Sequence, residues 1–337
     1  MTVRPRLSAA VLAIGLVGGL AGCSHPEPQT GVVQDGPQAR LETLNRQDVR
    51  VADVAWRLAL ANADLCPVNR PRAGWTLQSA GQYGVELRPL AESRYGLDGD
   101  LPGILAVPAG SPAARTGLQP GDLILSVNGR SLQRGGGSRN SYDGLAANIV
   151  TLDQALDGGP VQLLVRRDGA ERTVLLTPVL ACAYPTQVEV TGTLGGRADG
   201  RHIFISDRMA NLAQTDDQLA FVLAHELAHA VLEHRIQPDV RGTRGASNEA
   251  ISMRRGLSPG AEADADRLGL FLAARSGFDP QAAMEFLELF EAADSGSRYT
   301  RVNSGGVYEP VSVRRRALAP VMAEIAARRA ANRALIP

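Results

Sequence analysis

The chain has 337 residues, of which 44% are hydrophobic and 21% are charged. This length suits about two domains of ordinary size, and this composition excludes wholesale disorder. The 35 basic residues, all of them Arg, balance 35 acidic residues, which argues against a protein that holds nucleic acid through a diffuse positive field. The three cysteines are an odd number, which needs an explanation in an exported protein.

Residues 1–22 have the pattern of a secretory signal. Two Arg residues precede the apolar stretch 7–20, and small residues follow it. The stretch is too short and too rich in Gly for a membrane span. Residues 20–23, with the sequence LAGC, resemble a bacterial lipobox, which implies cleavage before Cys23 and acylation of Cys23. The alternative is an ordinary signal peptide that leaves Cys23 as a free thiol. We therefore expect export to the periplasm, with a lipid anchor as the contact with a bacterial membrane.

Two segments of different character follow the signal. Residues 23–40 are rich in Pro, Gly and Gln and predict a tether. Residues 41–73 carry apolar residues at spacings of three and four, which predicts a helical segment that packs on a later part of the chain.

Residues 74–180 change to short apolar or alternating runs separated by Gly and Pro. Asn128-Gly129 and Asp168-Gly169 are strong hairpin signals, and a helical pattern lies at 142–156. The predicted strands are 85–89, 103–107, 123–127, 161–165 and 173–176. Short strands with one inserted helix predict a small β-rich module and argue against a parallel α/β sheet.

One stretch of this module carries a family resemblance. Residues 109–129, AGSPAARTGLQPGDLILSVNG, resemble the core signature of bacterial protease-associated PDZ domains. The resemblance implies that an extended peptide adds to a sheet edge and that backbone N–H groups hold its C-terminal carboxylate. The corresponding loop is predicted at Tyr83, Gly84 and Val85. The alternative is a PDZ domain that serves only for packing or gating.

The remaining chain, 183–337, is predicted to be mainly helical. Thr215 and Gln218 form a capping-box pattern before a strongly apolar helix that reaches about residue 234. Further helices are predicted from Pro259 to Gly277, from Asp279 onwards, and over 314–335 with a bend at Pro320.

The first of these helices contains His225-Glu226-Leu227-Ala228-His229. Histidines at i and i+4 lie about 40° apart on one helix face, so both imidazoles can reach one metal ion. Glu226 lies on an adjacent face, where it can accept a proton from water without binding the metal. The alternative is that these histidines are ordinary core or surface residues.

A catalytic zinc ion normally takes a third protein ligand and keeps one position for water. Glu262 and Asp266 lie one turn apart on the next predicted helix, next to apolar residues. Glu262 suits a metal ligand, and Asp266 suits a hydrogen-bond acceptor that orients an imidazole.

HELAH followed by Glu262-Ala263-Asp264-Ala265-Asp266, 33 residues after His229, resembles the HtpX-like and CAAX prenyl endopeptidase family of zinc metallopeptidases, which are gluzincins. The resemblance implies one Zn²⁺ per chain, bound by His225, His229 and Glu262. It also implies that Glu226 is the general base and that Asp266 accepts a hydrogen bond that orients an imidazole. The predicted fold class is α+β, a β-rich PDZ domain followed by a mainly helical zincin-type domain.

The same resemblance implies two further features. An edge strand for substrate falls on residues His202, Ile203, Phe204 and Ile205. An Arg that stabilises the transition-state oxyanion falls on Arg315. The family pattern Thr-His-Pro before this Arg is Tyr-Glu-Pro in residues 308–310, so the match is incomplete and the neighbouring arginines remain alternatives.

These features predict a zinc-dependent endopeptidase of the cell envelope that cleaves extended or unfolded polypeptides, misfolded envelope proteins among them. The PDZ domain would bind peptide C-termini or gate substrate. The alternative is a chaperone or assembly factor with latent proteolysis, because the loop 235–257 is long enough to cover a cleft. Since Cys23 is assigned to the anchor, Cys66 and Cys182 are predicted to form a disulfide in an oxidising compartment.

Overall fold

The computed structural model describes residues 36–135, 140–232, 259–294 and 310–336. The predicted signal, Cys23, most of the tether and the loop 235–257 lie outside the described residues. The described helices are α1 Pro37–Ala61, α2 Arg88–Tyr95, α3 Pro112–Arg115, α4 Asp143–Asp157, α5 Asp207–Leu212, α6 Asp216–Val231, α7 Pro259–Arg275, α8 Ala282–Asp294 and α9 Val311–Ala330. The strands are β1 Asn69–Arg72, β2 Thr76–Gln78, β3 Gly103–Ala106, β4 Leu123–Val127, β5 Arg130–Ser131, β6 Val161–Arg167, β7 Ala170–Leu176, β8 Val179–Cys182, β9 Thr186–Glu189, β10 Gly196–Ala198 and β11 Ile203–Ser206.

Helix α1 begins at Pro37, inside the segment 23–40 that the sequence predicts as a tether. Pro suits the first helical turn because its missing N–H has no intrahelical acceptor there. Val54 and Leu58 of α1 are buried in the same core as the later helices, and Ala52 packs on Leu105 of β3. The helix therefore contacts both of the following regions of the chain.

The β-rich module has a mixed core of sheet and helix residues. Its described strands follow the order β2-β3-β4-β6-β7, with β5 on β4, and every pairing is antiparallel. The aliphatic side chains of β3, β4, β6 and β7 pack against α4 and form this core. The predicted strand 85–89 is wrong, because Leu87 caps α2 and Pro89 lies in its first turn, where Pro is favoured.

Burial and a salt-bridge cluster stabilise the turn before β4. The Asp122 side chain has no exposed surface, and it pairs with Arg167 on β6 and with Arg172 on β7. Burial on its own would raise the pKa of Asp122, but these hydrogen bonds and the N–H of Gln119 lower it overall. The carboxylate thus ties the turn at 119–122 to two strands.

The region after the PDZ segment consists of a small sheet and packed helices. The sheet order is β10-β11-β9, with β11 antiparallel to β10 and parallel to β9. Helix α6 packs along α7, where Gly269 allows a close approach, since a Cβ there would lie 3.0 Å from the backbone N of His225. The helix pair therefore brings the two predicted metal-binding motifs together.

Cys66 and Cys182 form a disulfide, as predicted. The two residues lie 116 positions apart, on either side of the PDZ segment, and β1 pairs with β8 next to the bond. The bond therefore links the end of α1 to the start of the second domain. No helix among the described residues is long and apolar enough to cross a membrane.

Candidate metal centre

Helix α6 positions the histidines of the HELAH motif. Thr215 caps its first turn by accepting a hydrogen bond from the N–H of Gln218 at 3.2 Å. The helix then presents apolar residues to the core on almost all sides, and His225, Glu226 and His229 are buried among them at 5–7% exposure. Buried polar side chains at three positions of one apolar helix need partners.

The partners are the histidines themselves and a carboxylate from α7. The Nε2 atoms of His225 and His229 lie 3.0 Å apart. Oε2 of Glu262 lies 3.3 Å from Nε2 of His225, and Oε1 lies 3.7 Å from Nε2 of His229. One donor atom from each residue falls within 4.8 Å of the other two. Two imidazole nitrogens and a carboxylate are the ligands of a catalytic zinc site.

Two observations test whether these residues fit a cation. Oε2 of Glu262 is fully buried but makes no hydrogen bond within the described structure, which is costly for a carboxylate oxygen unless a positive charge faces it. Burial on its own would lower the pKa of the His225 imidazole, but the hydrogen bond to Asp266 and the nearby carboxylate of Glu262 raise it to about 10. The site therefore favours positive charge, and the donor set fits Zn²⁺.

Asp266 lies behind His225, where the sequence places it. Its Oδ1 accepts a hydrogen bond from Nδ1 of His225 at 3.0 Å, which directs Nε2 towards His229 and Glu262. Arg314 on α9 donates two hydrogen bonds to the same carboxylate, from Nε to Oδ2 at 2.7 Å and from Nη2 to Oδ1 at 2.6 Å. Burial would raise the pKa of Asp266, but these two partners hold it well below its ordinary value.

Arg314, and not Arg315, is the arginine of this cluster. Nη1 of Arg315 pairs with Glu288 at 2.6 Å on the exposed side of α9. Adjacent helical residues point about 100° apart, so only one member of the triplet 314–316 can face Asp266. The predicted Arg315 is therefore placed away from the metal ligands. The sequence favoured Arg315 and left its neighbours as alternatives, because the motif before the triplet departs from the family pattern.

Glu226 lies beside the candidate metal ligands His225, His229 and Glu262, against the backbone of β10. A Cβ on Gly196 would lie 2.5 Å from Oε1 of Glu226, so the carboxylate reaches this position only because residue 196 is Gly. Burial raises the pKa of Glu226 to about 7, against the opposing charge of His225. A carboxyl group with this pKa can both accept and return a proton near neutral pH.

The strand predicted to bind substrate at a sheet edge lies in the centre of its sheet, so this prediction is wrong. Ile203, Phe204 and Ile205 belong to β11, which lies between β10 and β9 and therefore offers no free edge. The family resemblance implied an edge strand here, but Ile203 and Ile205 are buried in the central strand of the sheet. His202 precedes the strand and bonds Asp199. The edge beside Glu226 is β10, which spans Gly196–Ala198.

The predicted PDZ loop lies off the sheet. Tyr83, Gly84 and Val85 follow a short 3₁₀ helix and belong to no strand. The hydroxyl of Tyr83 donates to Oε1 of Gln78 at 2.6 Å, while Val85 is 91% exposed. The described strands at the two edges of this sheet are β2, which spans Thr76–Gln78, and β7, which spans Ala170–Leu176.

Comparisons with known families agree with this arrangement. Residues 103–140 match the PDZ domain model, and residues 193–247 match the model of peptidase family M48. The second match contains β10, β11 and the complete HELAH motif. The chain thus contains one segment that matches a PDZ domain and one that matches peptidase family M48. The predicted α+β fold class, with its β-rich PDZ domain and its helical metallopeptidase region, is therefore confirmed.

Two curated relatives are similar to parts of this chain. A Mesorhizobium japonicum protein named as a zinc metalloprotease is 31% identical over 105 residues, which cover 30% of this chain and 26% of the relative. The beta-barrel assembly-enhancing protease of Yersinia pestis is 29% identical over 128 residues, with coverages of 30% and 26%. The chain thus spans about a quarter of the length of the curated relatives it matches.

Two solved structures are similar to about a third of the chain. The HtrA-type protease AlgW with a decapeptide is 24% identical, covers 34% of this chain and 30% of its own, and has a TM-score of 0.25. The HtrA3 PDZ domain with a phage-derived ligand is 22% identical, with coverages of 34% and 89% and a TM-score of 0.24.

Proposed function

We propose that this chain is a zinc-dependent metalloendopeptidase of the bacterial cell envelope. The observation that carries the proposal is the convergence of His225, His229 and Glu262, with Glu226 buried beside them. A zinc ion held by these three ligands would lower the pKa of water and polarise a carbonyl group.

The residues around the ligands have separate roles in this proposal. Glu226 accepts the proton of the attacking water and delivers it to the leaving amine, a role for which its raised pKa of about 7 is suited. Asp266 fixes the imidazole of His225 so that Nε2 points into the site, and Arg314 fixes Asp266. The bidentate Arg–carboxylate pair is rigid because both bonds are charge-assisted.

An extended polypeptide is the substrate that the site favours. Strand β10 pairs with β11 on one side only within the described chain, and Gly196 brings that strand against Glu226. A substrate that adds to the outer edge of β10 would pass directly beside the carboxylate. Unfolded or unassembled envelope proteins offer such extended segments, whereas a folded protein does not.

The remaining parts of the proposal concern the PDZ domain and localisation. The PDZ domain binds polypeptide chain ends and presents or gates substrate. The chain is exported and anchored through a lipid on Cys23. The M48 match, together with the names of the curated relatives, a zinc metalloprotease and a beta-barrel assembly-enhancing protease, supports a role in envelope protein quality control.

Replacement of Glu226 by Gln tests the catalytic core of the proposal. E226Q keeps the size of the side chain but removes the base, so cleavage of unfolded casein should fall at least about 100-fold. Zinc content, measured by atomic absorption, should stay at one ion per chain. The matched control is E291Q, because Glu291 is exposed on α8. Equal cleavage by the wild type and E226Q would refute the mechanism.

A further inference from the structure

A polar pocket of about 180 Å³ lies between helices α1, α5 and α6, and none of the candidate metal ligands lines it. Its polar lining comes from one stripe of α1, where Thr43, Arg46, Gln47 and Arg50 follow one another at spacings of three, one and three. Residues at such spacings share a helix face. Leu219 of α6, which is fully buried, is part of the apolar lining. The pocket is therefore distinct from the site described above.

Gln47 contributes a buried hydrogen-bond acceptor that has no donor. The residue is 8% exposed, and its Nε2 donates to the carbonyl oxygen of Asp207 at 3.2 Å. Because a carbonyl oxygen only accepts, the amide nitrogen must face Asp207, and this fixes the position of Oε1. Oε1 is buried and accepts no hydrogen bond within the described structure. Such an acceptor is costly unless a donor reaches it, so the pocket favours a ligand that carries an O–H or N–H group.

Arg50 contributes an unused donor to the same pocket. Its Nε pairs with Asp216 at 2.8 Å, and its Nη1 donates to the carbonyl oxygens of Ala210 and Ala213. These bonds fix the guanidinium group, but Nη2 is buried and has no acceptor among the described residues. The side chain of Asp216 is 61% exposed, so water screens its charge. Arg50 therefore offers a fixed, positively charged donor to an anionic acceptor.

Arg46 adds a second positive charge on the exposed side of the pocket. Its Nη2 donates to Oγ1 of Thr43 at 2.9 Å, and it forms no ion pair within the part of the chain that the structure describes. Arg46 and Arg50 lie four positions apart, so they share one face of α1. Guanidinium groups match the geometry of carboxylates and phosphates. The pair therefore favours an oxyanion as the ligand.

The volume and the mixture of donors and acceptors restrict the class of this oxyanion. Pockets that bury a drug-sized ligand have volumes of about 300–1,000 Å³, and this pocket is smaller. A phosphate group offers more acceptor oxygens to two guanidinium groups than a carboxylate does. The free acceptor of Gln47 also requires a donor on the ligand. A glycerophosphate group meets both requirements, because hydroxyl groups stand beside its phosphate.

The position of the pocket favours a membrane lipid as the source of this group. Its polar residues lie in the first four turns of α1, which begins at Pro37. Residues 24–36 separate this helix from the proposed anchor at Cys23, and a segment of this length reaches at most about 50 Å. The pocket therefore lies within reach of lipid headgroups if Cys23 is acylated. This step rests on the proposed anchor, whereas the polar lining of the pocket does not.

We propose that this pocket binds a glycerophosphate group, with Arg46 and Arg50 on the phosphate oxygens and Oε1 of Gln47 accepting a hydrogen bond from a glycerol hydroxyl. The same chemistry occurs in the headgroup of phosphatidylglycerol and in soluble glycerol phosphates. A bound headgroup holds α1 at the membrane surface, together with the two regions that pack on this helix. The site goes beyond the proposed protease function and is independent of it.

Isothermal titration calorimetry on the full chain tests the site with three ligands. The first is sn-glycerol 3-phosphate, for which we expect saturable binding. The second is methyl phosphate, which lacks the glycerol hydroxyls and should bind about 2- to 10-fold more weakly, the effect of one hydrogen bond. The third is a short-chain phosphatidylglycerol. If it binds as tightly as glycerol 3-phosphate, the lipid is the source, whereas binding of glycerol 3-phosphate alone identifies a soluble ester as the source.

Four variants test the assigned contacts. R50Q should weaken binding of glycerol 3-phosphate about 10- to 100-fold, because a charge-assisted bond is lost, and R46Q about 5-fold, because Arg46 is exposed. Q47M keeps the length of the side chain but removes the acceptor, so it should remove the difference between glycerol 3-phosphate and methyl phosphate. The control is R94Q, since Arg94 is exposed on α2 and does not line the pocket. Melting temperatures of all variants control for folding.

Three results would overturn the inference. The first is the absence of saturable binding of glycerol 3-phosphate to the wild type. The second is an equal loss of binding in R94Q and R46Q, which indicates diffuse attraction of anions. The third is a difference between the two phosphate esters that persists in folded Q47M. R46Q and Q47M decide the matter even if R50Q fails to fold, because Arg50 also binds α5. Casein cleavage by R46Q should equal that of the wild type, so a failure of the proposed protease function is distinguishable from a failure of this site.

Discussion

Replacing Arg314 by Gln removes the support of the metal centre without touching a metal ligand. The side chain makes two charge-assisted bonds to Asp266, at 2.6 and 2.7 Å, and Asp266 is only 3% exposed. Breaking a buried ion pair by removing one partner costs about 3–5 kcal/mol. Loss of a hydrogen-bond partner behind a metal-ligating His costs about 10- to 100-fold in metal affinity.

The assay is zinc affinity, measured by competition with a chromogenic chelator, together with kcat and KM for a fluorogenic peptide. For R314Q we expect zinc affinity to fall about 10- to 100-fold, and saturating zinc to restore most of kcat. R314K keeps the positive charge but loses the planar guanidinium group. Its zinc affinity should therefore lie between those of the wild type and R314Q. The matched control is R315Q, since Arg315 pairs with Glu288 on an exposed face and such pairs contribute about 0–1 kcal/mol.

Two results would refute this reasoning. The first is an unchanged zinc affinity in a folded R314Q protein. The second is a loss of kcat in R315Q with zinc affinity intact, which would return the oxyanion role to Arg315 as the family resemblance implies.

Three further predictions test the scaffold around the centre. G196A should displace the carboxylate of Glu226, because the added Cβ would lie 2.5 Å from Oε1. Casein cleavage should therefore fall, while zinc is retained. The control is G195A, whose added Cβ would meet no atom within 4 Å and which should leave cleavage unchanged. C182S removes a cross-link over 116 residues and should lower the free energy of unfolding by about 5 kcal/mol in the chain-entropy model; an unchanged urea midpoint would contradict this. D122N removes a fully buried carboxylate whose folded pKa is lowered; because Arg167 and Arg172 are partly exposed, it should destabilise at pH 7 by about 1.5–3 kcal/mol, the contribution of hydrogen bonds to a charged group. The stabilisation from this carboxylate is present above its unfolded pKa of about 4 and is lost as pH falls through the folded pKa, so the difference between wild type and D122N in urea unfolding should shrink on acidification.

Local patterns were enough to predict most elements and part of the centre. The HELAH spacing places His225 and His229 on one face of α6 because the helical repeat is a local property. Turn signals predicted a β-rich module for the same reason, since Gly, Pro and Asn act on neighbouring residues, and the resemblance of residues 109–129 to PDZ domains gave its family. The disulfide between Cys66 and Cys182 followed from the cysteine count and the predicted export.

Contacts between distant elements were not accessible to these patterns. The choice of Arg314 over Arg315 depends on the rotation of α9 against α7, and an Arg triplet has no periodicity from which to predict that rotation. The edge position of β10 depends on strand order, because an alternating stretch such as β11 reads the same at the edge and in the centre of a sheet. Sequence spacing therefore specified which side chains can bind the metal, and packing between helices and strands selected the residues that orient them.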